Sequence, residues 1–322
     1  MTAISEATAS AARQGKLRPF DFRRDQGAVA DLVELCFAET LDPDGREYLT
    51  RMRSTARSTS LAGLAKGWAN APLNGFVWQE NGRIIGNVSL IPYLVQGQRC
   101  YLIANVAVHP DYRLRGIGQT LTERAIEFGR SRRAPAVWLH VRLENQIARG
   151  IYLAFGFQER AVRTTWVANP DNTLPGEASQ IQIAPLKNRD WQAVRGWLQR
   201  SYPAELAWHS WFRLSNLRPG VLGVISRFLH NAYVYQWAAR QHGRLAACGA
   251  WQATYAYANA IWLAAPDKGA DEAVLKLLQH IRRRSPTRRA LALEYPAGDY
   301  AGAIQEAGFR EQQTLVWMEL KL

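Results

Sequence analysis

The fold is decided by residues 101–157, which read YLIANVAVHPDYRLRGIGQTLTERAIEFGRSRRAPAVWLHVRLENQIARGIYLAFGF. An apolar strand predicted at 99–108 runs into a turn, and an amphipathic helix follows over 116–130. A second strand is predicted at 136–143, and a second helix at 145–155 ends at a glycine, a common helix C-cap. This mixture of strands and helices predicts an α+β or mixed α/β fold.

The turn between the first strand and its helix carries the residue types of an anion site. It reads Arg113-Leu114-Arg115-Gly116-Ile117-Gly118, and its glycines let backbone N–H groups approach a ligand closely. The helix N-terminus adds about half a positive charge, and arginines pair well with phosphate. The P-loop pattern G-x-x-x-x-G-K-[ST] is absent, and Leu121 stands where a dinucleotide fingerprint needs its third glycine. The turn therefore suits a pyrophosphate outside those two nucleotide-binding families.

A second pattern begins 27 residues after Gly118. It is N-x-x-A-x-x-x-Y-x-x-x-G-F, filled here by Asn145, Ala148, Tyr152, Gly156 and Phe157. Together with R-x-x-G-x-G after a strand, this pattern resembles the GNAT acetyltransferase superfamily. The resemblance covers residues 17–168 in element order and, more faintly, residues 180–322.

The resemblance implies a mixed, mostly antiparallel sheet flanked by helices, which opens between two parallel strands to hold acetyl-CoA. It implies that the turn holds the pyrophosphate and that the preceding strand hydrogen-bonds the pantetheine arm like an added strand. The Asn and Tyr of the second pattern are implied to lie beside the pantetheine and the sulfur. The implied binding residues are Val106, Val108, Arg113, Arg115, Gly116, Ile117, Gly118, Gln119, Asn145 and Tyr152.

Acetyl transfer from a thioester to an amine needs three kinds of help. An amine with a pKa of ~10.4 must lose a proton, the oxyanion needs hydrogen-bond donors, and the departing thiolate benefits from an acid. By the resemblance, the backbone N–H of Val106 serves the oxyanion and Tyr152 protonates the thiolate. The alternative for Tyr152 is packing of a helix tyrosine against the sheet.

The general base is less visible, because the strand at 101–108 contains no Asp or Glu. His140 lies on its strand, where a structural histidine is the alternative interpretation. Glu144 stands at the strand end, where it could instead serve the following helix N-terminus. Three candidates stay open for the base, directly or through water: His140, Glu144 and Glu80.

Short matches recur in order along the chain. Arg24-Asp25 returns as Arg189-Asp190, and Ala154-Phe155-Gly156-Phe157 returns loosely as Glu306-Ala307-Gly308-Phe309. The offset falls from 165 to 152 between these matches, as expected if loop residues were lost. We predict a disordered lead-in at 1–16, a catalytic GNAT domain at 17–170 and a degenerate GNAT-like domain at 177–322, in tandem.

The second copy lacks the residues of the first copy's site. At the matching offsets, Glu272 and Val274 replace the two glycines of the turn, and Ala297 and Ile304 replace Asn145 and Tyr152. Carboxylates beside a pyrophosphate would repel it. We expect a catalytically silent domain that docks on the first as a pseudo-dimer within one chain, compatible with a monomer, and completes or covers the acceptor site. Its tryptophans favour a Trp-rich core and seam over an aromatic acceptor pocket.

Composition limits the function classes. The chain has 322 residues, 48% apolar and 21% charged, which excludes a disordered chain or a fibre. The net charge of +13 is spread evenly without a basic–aromatic motif, so we expect no nucleic-acid partner, although an anionic surface or phosphorylated ligand remains compatible. The uncharged stretch 245–265 fits two buried strands better than a membrane span, so we expect no membrane partner.

Three scattered cysteines, without metal-ligand spacing, predict a reducing, cytoplasmic setting and no metal. The N-terminus lacks the apolar core of a secretory signal. We therefore expect an N-acetyltransferase that moves the acetyl group of acetyl-CoA to a primary amine of a small molecule or peptide by direct attack. The alternative is a non-catalytic acyl-CoA-binding sensor, which the missing strand carboxylate keeps open. Loops such as 41–70 would set the acceptor.

Overall fold

The structure is a computed structural model that describes residues 15–57, 74–95, 97–173, 180–206 and 212–322. The strands are β1 (Lys16–Pro19), β2 (Asn74–Glu80), β3 (Arg83–Val95), β4 (Gln98–Val108), β5 (Ala136–Arg142), β6 (Gln158–Ala168), β7 (Ile181–Pro185), β8 (Val234–Gln241), β9 (Arg244–Gln252), β10 (Ala258–Ala264), β11 (Ala290–Pro296) and β12 (Arg310–Lys321). The helices are α1 (Phe22–Phe37), α2 (Pro43–Arg57), α3 (Ile117–Ser131), α4 (Gln146–Ala154), α5 (Trp191–Ser201), α6 (Val221–Leu229), α7 (Asp271–Arg284) and α8 (Ala301–Glu306).

The chain divides into two compact units, each assembled from separate segments. The first unit comprises Met1–Val141, Asn145–Arg160 and Trp317–Leu322, and the second comprises Arg142–Glu144 and Ala161–Val316. The sequence predicts two contiguous domains instead. The difference arises because the end of the last strand, β12, belongs to the first unit, while most of β6 belongs to the second.

The predicted ends of the domains are described in part. Much of the expected disordered lead-in, 1–14, lies outside the described residues, as do 174–179 at the expected linker and 58–70 of the expected acceptor loop. Lys16, which the prediction assigns to the lead-in, begins β1 and pairs with Gln79. Lys16 therefore belongs to the folded first unit and not to the lead-in, because β1 is the edge strand that pairs with β2.

In the first unit the strand order is β1-β2-β3-β4-β5, followed by the end of β12. From β1 to β5 the neighbours are antiparallel except for β4 and β5, which run parallel. Helices α1 and α2 bury Val29, Leu32, Val33, Leu49 and Met52 in one core cluster with Val77 of β2 and Ala107 of β4. Helix α3, which follows β4, buries Ile117, Leu121, Ala125 and Ile126. This arrangement places the predicted anion turn directly at the end of β4.

Helix α1 is fixed to β1 by a buried carboxylate, Asp25. Its oxygens accept hydrogen bonds from the guanidinium of Arg18 at 2.6 and 2.9 Å and from the backbone N–H of Asp21 at 2.8 Å. Burial alone would raise the pKa of Asp25, but the hydrogen bonds from Arg18, Asp21 and Arg24 outweigh burial and leave the pKa below its ordinary value.

In the second unit the strand order is β6-β11-β10-β9-β8-β7, with residues 310–316 of β12 beside β6. Its neighbours from β6 to β7 are antiparallel except for the parallel pair β10 and β11. The uncharged stretch 245–265 forms β9 and β10, which confirms two strands there. Trp251 and Trp262 on these strands are buried in the core of the unit. Both units are therefore mixed, mostly antiparallel sheets flanked by helices.

Candidate active site

The sheet of the first unit opens between its two parallel strands. The described pairing joins Tyr101 to Val137, Leu102 to Trp138 and Ile103 to Leu139. Beyond these pairs β4 continues to Val108 and β5 to Arg142. Since the two strands diverge there, backbone N–H and C=O groups along their inner edges face an opening. The opening leads to the N-terminus of α3, where the sequence predicts an anion site.

A β-bulge reshapes β4 at this opening. The register of β3 with β4 shifts between Asn87 and Ser89, so that Asn105 and Val106 both lie opposite Val88. Asn105 has a φ of 51°, in the left-handed region that Asn tolerates better than most residues. Its carbonyl accepts a hydrogen bond of 3.0 Å from the side chain of Asn87, which is buried. The bulge re-aims the peptide of Val106, the predicted oxyanion donor.

Neither this bulge nor the role of Asn87 is predicted from the sequence. A signal was present, because Asn105 interrupts the apolar run Tyr101–Val108 of a strand, where Asn is uncommon. No local pattern, however, connects Asn105 to Asn87, which lies on the neighbouring strand. The pair is a tertiary feature that only the strand register shows.

The predicted anion turn has the backbone expected of a cradle. Leu114 and Gly116 have φ values of 60° and 75°, and Gly116 is the N-cap of α3. The first turn of α3 contains no acidic residue, so its N–H groups and positive dipole end face no local carboxylate. The two left-handed residues, one on each side of Arg115, and the helix N-terminus form the concave, electropositive backbone that binds phosphate.

The two arginines of the turn have different environments. Arg113 is exposed, and its Nε donates a hydrogen bond of 3.3 Å to the carbonyl oxygen of Val108. Arg115 lies 3.0 Å from Glu80 and stacks over the ring of Tyr112, with 5.2 Å between the guanidinium carbon and the ring centroid. Glu80, one of three candidate bases, is therefore the ion-pair partner of Arg115. This pairing holds Arg115 beside the turn before any phosphate binds.

The other predicted binding residues of this region lie at the start of α3 and the end of β4. Ile117 is buried beneath the turn, and Gln119 is exposed. A Cβ at Gly118 would lie 3.7 Å from Val108, so Val108 and the helix start are close neighbours. The carbonyl of Val108 also accepts a hydrogen bond of 3.3 Å from the thiol of Cys36. Burial raises the pKa of that thiol, which keeps it neutral.

The second motif forms α4 and its two ends. Asn145 is the N-cap, and its side-chain oxygen accepts a hydrogen bond of 3.1 Å from the N–H of Ala148. Gly156 follows the helix with a φ of 88°. Tyr152 is 8% exposed and packs edge-on against Phe157, with 6.0 Å between ring centroids. Burial raises the pKa of Tyr152 to about 12, so its hydroxyl keeps its proton throughout the neutral range.

The structure separates the remaining two candidate bases. His140 follows Leu139, the last paired residue of β5, and so stands where the opening begins. Its ring is half-buried and stacks on Trp317, with 4.2 Å between ring centroids and 26° between planes. Glu144 is largely exposed and forms a loose ion pair of 3.6 Å with Arg142. An oriented imidazole at the opening is the better placed of these two groups.

The described residues also bear on other site types. Among them, no group of three His, Cys, Asp or Glu side chains is arranged to hold a metal ion. Across the described ranges, no helix combines the length and apolar character that a membrane crossing requires. The three cysteines are free thiols.

Comparisons with known proteins fit this geometry. Residues 34–157 match the acetyltransferase (GNAT) family model. The [ribosomal protein bS18]-alanine N-acetyltransferase of Escherichia coli strain K12 is 36% identical over 67 residues, which cover 21% of this chain and 45% of that enzyme. The putative enzyme of the same description from Bacillus subtilis is 36% identical over 64 residues, 20% of this chain and 42% of its own length. The chain thus spans less than half the length of these curated relatives.

Solved structures extend the likeness in fold to almost the whole chain. A GCN5-related N-acetyltransferase from Sphaerobacter thermophilus has a TM-score of 0.57 at 16% identity, covering 95% of each chain. At such identity the likeness concerns the fold alone. The family match covers residues 34–157, which build the opening, the turn and the second motif, so this part of the chain belongs to the GNAT acetyltransferase superfamily.

Proposed function

We propose that the protein is an N-acetyltransferase that carries the acetyl group of acetyl-CoA to a primary amine, with one active site, in the first unit. The observation that carries the proposal is the opening between β4 and β5, which leads to a turn with left-handed Leu114 and Gly116 and an acid-free helix start. An added pantetheine arm finds strand edges there, and a pyrophosphate finds backbone donors and Arg113.

Each step of the reaction has a group of this chain to perform it. His140 takes the proton of the acceptor ammonium, directly or through water, and the free amine attacks the thioester carbonyl. The N–H of Val106, re-aimed by the bulge, hydrogen-bonds the oxyanion of the tetrahedral intermediate. When the C–S bond breaks, Tyr152 donates its proton to the leaving thiolate, and the proton that the attacking nitrogen loses restores the phenol through water. The products are an amide and the free thiol of coenzyme A.

The buried state of Tyr152 supports its role as the acid. A phenol with a pKa of about 12 stays protonated at every pH at which the enzyme would work. It can therefore hydrogen-bond a thiolate as the negative charge develops, and it is not lost to ionisation beforehand.

The names of the relatives suggest which acceptors should be tested first. Enzymes that match this chain in part are named for acetylating an alanine of a ribosomal protein, so peptides with N-terminal alanine head the acceptor panel. Small amines and amino-acid-derived molecules complete it. We place the enzyme in the cytoplasm, where three free thiols stay reduced.

The test measures thiol release from acetyl-CoA across that panel, with mass detection of the acetylated product. An acceptor-dependent rate and a mass gain of one acetyl group are expected. Binding of acetyl-CoA without turnover on any acceptor would contradict the enzyme and support the acyl-CoA sensor. The variant Tyr152→Phe, which keeps the ring, serves as the control for adventitious hydrolysis.

A further inference from the structure

Helix α6 in the second unit directs its apolar face toward solvent. Its sequence, VLGVISRFL, places apolar residues at the spacing of one helical face. In most surface helices that face is buried against the core, whereas here Phe228 is 84% exposed. The exposed apolar side chains of α6 are Val221, Leu222, Val224, Ile225, Phe228 and Leu229.

The polar side of α6 is held against the unit by hydrogen bonds. The hydroxyl of Ser226 donates to the side-chain oxygen of Asn216 at 2.8 Å. The guanidinium of Arg227 donates to the carbonyl oxygens of Asn216 and Arg218 at 3.0 and 3.2 Å. Since these contacts satisfy the polar face, rotating the helix to bury its apolar face would break them.

A glycine fixes the same orientation by close approach. Gly223 is buried, and a Cβ there would lie 1.7 Å from the carbonyl oxygen of Arg218. A side chain is therefore excluded at this close approach of α6 to Arg218. The outward apolar face is a built feature of the unit and not a loosely packed helix.

The chain around α6 is cationic and aromatic. Residues 206–266 contain five arginines and no Asp or Glu. Arg213 and Arg218, which precede the helix, are exposed. Tyr233 and Tyr235, which follow it, are exposed as well. Apolar side chains flanked by arginine and tyrosine are the composition of a helix that lies in a membrane interface.

We propose that α6, with Tyr233 and Tyr235, docks on an anionic phospholipid surface with the helix in the plane of the interface. Charge complementarity selects this occupant over a second copy of the chain. A two-fold contact through α6 would bring two acid-free, arginine-bearing segments together in a chain of net charge +13. Anionic headgroups would pair with the same arginines, and the acyl boundary would take up the apolar face.

This proposal departs from the sequence expectation of no membrane partner. It requires no membrane-spanning helix, because docking is peripheral. Membrane docking is also independent of acetyl transfer, since none of the residues of the docking face belongs to the first unit.

The test is co-sedimentation of the full chain with vesicles of phosphatidylcholine alone and of phosphatidylcholine mixed with phosphatidylglycerol. Binding is expected on the anionic vesicles and much less on the neutral ones. Phe228→Glu and Leu229→Glu should each weaken it by about tenfold or more, because each removes a large apolar side chain from the interface. Leu94→Glu is the matched control, since Leu94 on β3 is 65% exposed against 72% for Leu229.

Five results would overturn the proposal. The first three are absence of binding to anionic vesicles, equal binding to both vesicle types, and equal loss in Leu94→Glu and Leu229→Glu. The fourth is a dimer in light scattering that Phe228→Glu converts to a monomer, which would assign the face to a second copy. Thermal melting of Phe228→Glu should match the parent chain. A large fall in Tm would show that α6 is internal packing and would likewise overturn the proposal.

Discussion

The two units repeat one plan and differ at the place where a ligand would bind. In the first, β4 and β5 run parallel, separate after Ile103 and Leu139, and α3 follows β4. In the second, β10 and β11 run parallel, the described pairing ends at Ile261 and Leu293, and α7 follows β10. The shared plan explains the recurring sequence matches. The difference lies in what each unit places between the diverging strands.

The second unit fills that space with Tyr202. The ring of Tyr202 packs against Trp262 and Tyr295, which lie just beyond the last paired residues of β10 and β11. Its hydroxyl accepts a hydrogen bond of 3.1 Å from the backbone N–H of Leu263. Tyr202 thus lies where a pantetheine arm would lie in the first unit. It also hydrogen-bonds the backbone N–H that would correspond to a donor for such an arm.

Backbone carbonyl groups of the loop after β10 also accept hydrogen bonds from side chains of the same unit. Arg200 donates to the carbonyl oxygen of Ala265 at 3.0 Å, and the hydroxyl of Tyr300 donates to that of Pro266 at 2.6 Å. The pairing of β9 with β10 shows no register shift over its described length, unlike the bulge at Asn105. The aromatic residues around this space, Tyr202, Trp262 and Tyr295, therefore serve the core of the unit.

The two helix starts differ in charge. Gly116 caps α3, and Ala270 occupies the same place before α7. The first turn of α7 contains Asp271 and Glu272, whereas that of α3 contains no acid. By helix position Gly116 corresponds to Ala270, not to Glu272 as the sequence offset predicts, because the loop of the second unit is two residues shorter between strand and helix. The conclusion that carboxylates stand at this helix start is unchanged.

The largest expected effect comes from removing the end of β12 from the first unit. Fragment 1–170 lacks Leu322, whose N–H donates to Pro135 at 3.1 Å and whose side chain lies beside Gly129 of α3. We expect this fragment to lose cooperative unfolding and acetyl-CoA binding, because β5 would become a bare edge strand. Circular dichroism melts and titration calorimetry measure both.

The control for that truncation is fragment 1–170 with residues 310–322 rejoined through a Gly/Ser linker. It should regain a cooperative melt and acetyl-CoA binding. A fragment 1–170 that melts and binds as the full chain does would show that the first unit is contiguous after all.

The next largest effect is expected at Gly116. Gly116→Glu places a carboxylate at the pyrophosphate cradle and an L side chain at a φ of 75°. Acetyl-CoA affinity should fall by about a hundredfold or more, since charge-assisted hydrogen bonds are lost. Gly97→Glu is the matched control, with a φ of 82° and open space around its Cβ position in the β3–β4 turn.

Titration calorimetry of the parent chain measures how many acetyl-CoA molecules bind, and so tests whether only one of the two units binds the ligand. A stoichiometry near one is expected, in agreement with one cradle per chain. A stoichiometry near two, or equal losses in Gly97→Glu and Gly116→Glu, would contradict the division of function between the units.

Tyr152→Phe tests the acid. Turnover should fall by ~10²–10⁴-fold while acetyl-CoA affinity changes little, as expected for a proton donor acting only in the transition state. The pH profile gives a second check. The donor is the protonated form, and burial moves its loss upward to about pH 12, so no alkaline decline from Tyr152 should occur up to about pH 10. Unchanged turnover with chemistry rate-limiting would assign Tyr152 to packing.

His140→Gln tests the base. His140→Gln should lower turnover by at least ~10²-fold, because the acceptor ammonium then has no imidazole to take its proton. Glu144→Gln, in the exposed turn after the same strand, should leave turnover unchanged. The reverse pattern between the two variants would transfer the role to Glu144.

These contrasts also show which parts of the site the sequence could predict. The cradle and the second motif were predictable because Gly116, Asn145 and Gly156 act on the backbone next to them. The stack of His140 on Trp317 was not, since 177 residues separate the two rings and no periodicity links them. The passage of the last strand into the first unit is hidden for the same reason. Turns and helix caps depend on residues that are neighbours in sequence, whereas contacts between distant residues depend on the complete fold.

The smallest expected effect tests the self-filled opening of the second unit. Tyr202→Phe keeps the ring but leaves the buried N–H of Leu263 without its acceptor. Stability should fall by ~1–3 kcal/mol in denaturant unfolding, whereas Tyr233→Phe, at an exposed tyrosine, should stay within about 0.5 kcal/mol. Acetyl transfer and a stoichiometry near one should both persist in Tyr202→Phe, because the ring still fills the space and Asp271 and Glu272 still stand at the helix start. A second acetyl-CoA bound by this variant would mean that one hydroxyl, and not the whole unit, keeps the second site closed.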